Sequence, residues 1–482
     1  MSQELEVTAA PAPAAKPPVF HAPTREWVST TIFFLLLSAY GLKVYPNLLI
    51  ILAFLVWRWR NDRYAFLVEF MILCGGYGFA RADILPLKLS DVAFAVGIFG
   101  MLIYRKWPTV RRLTLAFLGY VAIIFLIAST STEPIKVQFI MMRNYFYIVA
   151  FFLPLIFFAN RDFDFRKLIH AITVHVLVIC ALYTIDALIL GGYLLVPACH
   201  PGEPTTLFNL SFSGPLANPR HYPYGLYWLV FLIIPLSYKW FRLNWKQWVL
   251  ILLALFTSRT NSLLMAGVVC MVFFRPKVLQ AVKISLVAIV TLAMVYTVDR
   301  ATGDHLRVAF MFDQFTALDK AIDEGDVETM AEFGTGRMAQ IIPKWLLLYD
   351  LDRQWLGFGF LHPQLTTNPI YQINNALYTD VSKSEEVVTA VEETHVQTIL
   401  DCGFLGLIAQ TGFYLLMYYI IRRMKYANFY LCAFVFVELL GVGGFAGVTQ
   451  RDGLFILATA LGGILAANKP KHFLKPIPVD EK

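Results

Sequence analysis

Apolar residues in this chain come in long unbroken runs, and most of the polar breaks between them are basic. Unbroken runs predict membrane-spanning helices rather than the alternating strands of a barrel. Seven basic clusters punctuate the runs: Arg58–Arg63, Arg105–Arg112, Arg161–Lys167, Lys239–Lys246, Arg275–Lys277, Arg422–Lys425 and Lys469–Lys475. Lysine and arginine in short loops mark the cytoplasmic side. Between successive clusters the chain is therefore expected to cross the membrane an even number of times.

That rule divides the chain into hairpins. Tyr64–Tyr104, Leu113–Asn160, Leu168–Tyr238 and Phe429–Ala467 each hold a pair of spans, with an external loop near Gly191–Tyr222. Trp27–Trp57 and Trp248–Phe274 are too short for two spans of about 20 residues each. Both are expected to be short or re-entrant pairs, broken near Lys43–Pro46 and Ser258–Asn261. Val278–Ile421 is a pair separated by a long loop. The expected fold is all-α, a polytopic membrane protein of about 12–14 transmembrane helices, with both termini cytoplasmic. By residue number, a disordered cytoplasmic tail (1–26) precedes membrane helices that include both short hairpins (27–298). A large external loop (299–394), C-terminal membrane helices (395–468) and a second cytoplasmic tail (469–482) follow.

Composition agrees and closes other routes. Hydrophobic residues make up 58% of the 482 and charged residues 15%, against roughly half and a quarter in soluble domains. The net charge of +7 is spread over membrane flanks rather than grouped on one face, so no nucleic-acid partner is expected. Met1–Arg25, rich in Ala and Pro, has no basic region ahead of a cleavable apolar stretch and reads as a tail, not a signal peptide. Of Cys74, Cys180, Cys199, Cys270, Cys402 and Cys432, all but Cys199 lie in apolar segments, and none is at metal-ligand spacing. Neither a disulfide framework nor a metal site is expected. No P-loop, dinucleotide fingerprint, HExxH or GxSxG occurs.

The long loop, Asp299–Thr394, is chemically distinct, with sixteen acidic and seven basic residues. It is long enough to be a small domain rather than a connector. Asp319–Phe333 and Gly336–Leu351 read as amphipathic helices, and Asn368–Asn375 ("NPIYQINN") as turn.

With the basic clusters assigned to the cytoplasm, the other polar residues face outward or lie in the membrane, and several are arginines, among them Arg143, Arg220, Arg259, Arg337 and Arg451. Such cations are costly unless paired or functional. Converging in one cavity, they would suit a diphosphate, because a guanidinium binds phosphate oxygens in bidentate fashion. Each also has a plainer reading. Arg143 snorkels to the interface, Arg451 pairs with Asp452, and Arg220, which precedes His221, anchors the interface with Tyr222 and Tyr224. Arg259 resists that treatment, because it sits at the break of a hairpin too short to span twice. At Glu392–Leu407, "EETHVQTILDCGFLGL", an acidic pair and a histidine run into an apolar helix. Glu392 and His395 stand i, i+3 and share a face. They read either as a Glu–His couple or as a solvated helix start with Thr394 near the cap.

The order of these pieces resembles the O-antigen ligase and polymerase superfamily of bacterial envelope polysaccharide assembly. The carriers are Phe212–Leu236 (a Phe-x-Gly…Asn-Pro segment), "LFTSRTNSLLMAG", Gly334–Phe360 (a Gly-Arg helix followed by Gly-x-Gly) and the final motif ending at Gly403 and Gly406. The resemblance implies a GT-C-like, inverting, metal-independent glycosyltransferase of the inner membrane that uses no cofactor and has its site facing the periplasm. The implied donor is an oligosaccharide on undecaprenyl diphosphate, and the acceptor is a glycan hydroxyl. The lipid bilayer, with a chain-length regulator or export-complex proteins, completes the partners. By the family's glycine register the catalytic position is Glu392, with Glu393 beside it and His395 three residues on. Gln397 and Asp401 then take the helix's polar positions. An acid in place of the usual histidine tilts the expectation from ligase to polymerase. The site set carried by the resemblance is Glu392, His395 and Arg337 for catalysis, with Arg220, Arg259, Arg143 and Arg337 on the diphosphate. Glu393, His221 and Arg451 are secondary. A lipid-linked glycan transporter is the alternative of another class, but the two short hairpins lack the alike flanks of an inverted repeat.

Overall fold

The computed structural model describes residues 17–41, 47–75, 89–148, 156, 162–188, 206–207, 210–211, 240–258, scattered positions between 286 and 326, 337–362, 365–366, 368–374, 385–387, 394–442 and 451–470. Within these, the helices are α1 (Thr24–Gly41), α2 (Asn47–Asn61), α3 (Arg63–Gly75), α4 (Leu89–Ile103), α5 (Pro108–Ser129), α6 (Ile135–Met142), α7 (Phe165–Leu188), α8 (Trp245–Ser258), α9 (Arg337–Asp350), α10 (Thr394–Ile421), α11 (Ala427–Val442) and α12 (Arg451–Ala467). The chain is mostly helical. Two minimal antiparallel ribbons depart from the all-α expectation: β1 (Thr206–Leu207) with β2 (Leu210–Ser211), and β3 (Gln372–Asn374) with β4 (Glu385–Val387). The second ribbon corrects the reading of Asn368–Asn375 as turn. Pro369–Tyr371 forms a 3-10 turn that runs directly into β3, and β4 satisfies β3's backbone groups.

Among the described residues, three helices are long and apolar enough to cross a membrane: α5, the Phe165–Leu182 part of α7, and α10. In the two hairpins expected to be short, the described helices are α1 and α2, with 18 and 15 residues on either side of Lys43–Pro46, and α8, described up to Ser258. Residues 42–46 and 259–261 lie outside the described residues, as do most of residues 189–239 and the Arg275–Lys277 cluster. Within residues 299–394, α9 matches the expected amphipathic helix, with Pro343 inside it. Positions 319–321, 323 and 324 of the other expected helix are also helical.

α5 shows how an all-apolar helix still has a buried side. Val110, Leu113, Phe117, Tyr120, Ile124 and Ile127 are buried at alternating spacings of three and four, while Leu115, Leu118 and Leu126 stay exposed. Lipid tails are as apolar as leucine, so this face meets its neighbour through packing rather than through a hydrophobic drive. The neighbour is α10. Phe413 stacks on Tyr120 at 4.5 Å and 3°, a pairing that contributes about 0.5–1.5 kcal/mol. The two helices run antiparallel. Arg112 of α5 lies beside Arg422 and Arg423 at one end, and Arg353 donates to the Thr130 carbonyl at the other.

The basic clusters gather at the Arg112 end. The Asp164 amide donates to the Tyr64 hydroxyl at 2.7 Å. The Phe165 ring packs on Trp240 and Tyr426 at 5.7 and 5.2 Å. The Lys425 amide donates to Asn468, and Lys469 Nζ donates to the Tyr104 hydroxyl at 3.2 Å. These contacts link six of the seven clusters, as expected if one side of the membrane holds them.

One ionic group lies inside the bundle. Arg58 donates to Glu69 Oε1 at 2.9 Å and to the Thr30 hydroxyl at 3.0 Å, and His175 Nε2 lies 3.4 Å from the same Oε1. All four side chains are buried, so the group ties α1, α2, α3 and α7 together. Removing Arg58 would leave the buried Glu69 uncompensated, at a cost of about 3–5 kcal/mol.

Candidate functional site

The final motif is built around a break. Within α10, Gly403 adopts φ 65°, ψ −173°, and the helix is interrupted there. A broken helix leaves carbonyls on one side and amides on the other without partners. The Gln354–Gly359 segment that follows α9 supplies them. The Phe358 and Gly359 amides donate to the Leu400 and Asp401 carbonyls at 2.7 and 3.0 Å. The Phe404 and Leu405 amides donate to the Gln354 and Trp355 carbonyls at 2.9 and 3.2 Å. This is the physical reason for glycines here. A Cβ on Gly357, which has φ 68°, would lie 2.6 Å from the Asp401 carbonyl carbon and the Cys402 nitrogen, and one on Gly403 would run into the Trp355 carbonyl.

An apolar cluster holds α9 and this segment against the first half of α10. Leu348, Phe358, Leu361 and Tyr371 pack with Ile399 and Leu400, flanked by Trp345 and Phe404. Arg353 then pins the segment to the end of α5 through its bond to the Thr130 carbonyl at 2.8 Å, and Tyr371 meets the Thr132 hydroxyl at 2.6 Å.

Two acid-containing pairs flank the first half of α10. Asp401 is buried and accepts a hydrogen bond from the Tyr145 hydroxyl at 2.8 Å. At the start of the helix, His395 Nε2 lies 3.2 Å from the Glu438 carbonyl oxygen and 3.4 Å from its carboxylate on α11. Both partners only accept, so in the neutral imidazole Nε2 carries the proton and Nδ1 is left as the lone-pair nitrogen. Nδ1 is shielded from solvent and has no hydrogen-bond partner among the described residues. A histidine oriented through one nitrogen by a carboxylate, with the other nitrogen unpartnered, can take a proton from a hydroxyl that reaches that nitrogen.

The residues singled out in the sequence distribute as follows. His395 opens α10. Arg143 begins the 3-10 turn Arg143–Tyr145 and is half-buried, so the bond from Tyr145 to Asp401 brings that turn to α10. Arg337 is the first residue of α9. Arg451 is the first residue of α12, which packs against α11 with its far end at Lys425. The start of α12 therefore lies at the His395 end of the bundle. Glu392, Glu393, Arg220, His221 and Arg259 lie outside the described residues, and with them the expected Glu392–His395 couple. The carboxylate described beside His395 belongs to Glu438.

Sequence reasoning passed over Glu438, Tyr145, Arg353 and the buried Lys344. For Glu438 a signal existed: one acid in the apolar run "FVFVELLG" is by itself a marker of function in a membrane segment. Among the described residues, no three His, Cys, Asp or Glu side chains converge as a metal site would require. Comparison of the chain with protein-family models, curated proteins and solved structures finds no match.

Proposed function

We propose that this chain is a membrane glycosyltransferase that polymerises lipid-linked glycan. It would transfer the growing chain from undecaprenyl diphosphate to a hydroxyl of another lipid-linked repeat unit, for exopolysaccharide or O-antigen. The observation that carries the reading is the His395–Glu438 pair at the start of α10, with Nδ1 of His395 shielded from solvent and without a hydrogen-bond partner among the described residues. In the proposed step, the acceptor hydroxyl loses its proton to His395 Nδ1 as its oxygen attacks the anomeric carbon. The bond from that carbon to the diphosphate oxygen breaks, and the leaving diphosphate keeps the electron pair. The Glu438 carboxylate stabilises the imidazolium that forms. Arg143 and Arg337, with Arg220 and Arg259, neutralise the leaving group. The α9 segment, stitched to α10 through the glycines, keeps water from competing as acceptor. Glu392 remains the alternative base on the glycine register.

One observation favours a second reading in the same chemistry. His395 has a carboxylate partner, Glu438, and the histidine form goes with ligases that join finished glycan to lipid A–core. The two readings differ in acceptor only. The first test is in cells. Arg337→Ala and Arg259→Ala are expected to abolish polymer while the protein stays in the membrane. Polymer of normal length in both variants would overturn the assignment.

A further inference from the structure

At the basic end of the bundle, a cleft of about 630 Å³ opens along the seam of α5 and α10. Three arginines ring it: Arg112 from α5, and Arg422 and Arg423 from the end of α10. The rest of its wall is Leu115, Ala116, Leu416, Tyr419 and Ile420. Among the described residues no carboxylate lines it, and no acidic residue occurs anywhere in Arg105–Tyr120 or Thr411–Asn428. Among the described residues, none of the three arginines has an ion-pair partner. Arg422 lies over the Tyr419 ring at 3.9 Å, which fixes one guanidinium at the cleft. Leu115, Leu416 and Tyr419 are exposed on helices long enough to span a bilayer.

The two halves of this lining ask for different things. Three uncompensated guanidinium groups ask for an anion with several oxygens, and phosphate matches their donors best. The aliphatic wall beside them asks for hydrocarbon. A soluble phosphate satisfies only the first demand. We propose that the cleft binds an anionic diacyl phospholipid of the leaflet facing the basic clusters, with its phosphate on Arg112, Arg422 and Arg423 and its acyl chains along Leu115 and Leu416. The lipid would then brace the α5–α10 seam at the end opposite the glycine-stitched break. This site is independent of the proposed glycosyl transfer.

The experiment is native mass spectrometry of the full-length protein in detergent, titrated with phosphatidylglycerol, with phosphatidylcholine and with inorganic diphosphate as competitor. Phosphatidylglycerol is expected to bind in preference to phosphatidylcholine and to resist diphosphate. A cation near a membrane surface is worth roughly fivefold in affinity for anionic lipid. Arg112→Ala, Arg422→Ala and Arg423→Ala combined should therefore weaken binding on the order of 100-fold. The corresponding triple lysine variant should keep most of it, and each single alanine variant, a smaller perturbation of the fold, should lose about fivefold. Unchanged phosphatidylglycerol affinity in the alanine variants, equal binding of phosphatidylcholine, or displacement of the lipid by diphosphate would each overturn the proposal.

Discussion

His395 and Glu438, 43 residues apart in sequence, meet with Nε2 3.2 Å from the Glu438 carbonyl oxygen and 3.4 Å from its carboxylate. The carbonyl holds the imidazole whichever acid or amide occupies position 438, while only the carboxylate can stabilise the imidazolium. On the proposed function, His395→Ala should lower glycosyl transfer by about 10²–10⁴-fold. Glu438→Gln keeps the carbonyl and should lose only about tenfold, or roughly 1.4 kcal/mol. Transfer rates on purified variants check the ratio. A loss in Glu438→Gln equal to that in His395→Ala would contradict the division of roles.

The break at Gly403 makes a sharp prediction for stability. Its φ of 65° with ψ of −173° falls in a region that is essentially glycine-only, and a side chain there costs about 1–3 kcal/mol in strain. The clash with Trp355 adds to that cost. Gly403→Ala and Gly357→Ala should each lower the thermal midpoint in detergent. Gly119 on α5 and Gly412 on α10 have open space at the Cβ position. Alanine there should be neutral or stabilising by up to about 1 kcal/mol.

Tyr145→Phe removes the donor to the buried Asp401 carboxylate. Leaving such an acceptor unmet costs about 1–3 kcal/mol. Unfolding in detergent should show that loss. Asp401→Asn, which still offers an oxygen to Tyr145, should lose less.

The Arg58–Glu69 pair should behave as one unit. Arg58→Met is expected to cost about 3–5 kcal/mol, because it strands the buried Glu69, and Glu69→Leu less, because Arg58 keeps Asp62 at 3.7 Å. The double variant should cost much less than the sum of the two. Additive losses would show that the pair is not coupled.

Much of this arrangement is legible in the residue pattern because it follows from local rules. The α9 helix follows from its apolar spacing, and the gathering of the basic clusters from the charge rule. The partnerships are not legible. Glu69 meets His175 across 106 residues, and Tyr145 meets Asp401 across 256. Nothing in a one-dimensional pattern says which buried acid faces which base. The break at Gly403 is hidden for a related reason. Glycine permits it, but the amides of Phe358 and Gly359, more than forty residues upstream, are what satisfy the exposed carbonyls. Glu438 and Glu69 are legible as single acids in apolar runs, and an acid so placed calls for a partner.

The most direct test is incubation of the purified protein with lipid-diphosphate repeat units. The wild-type chain is expected to give a ladder of elongated products, His395→Ala to leave the units unchanged, and Glu392→Gln to retain elongation. A ladder of wild-type length and rate from His395→Ala, or no transfer by the wild-type protein to repeat units or to lipid A–core, would contradict the account.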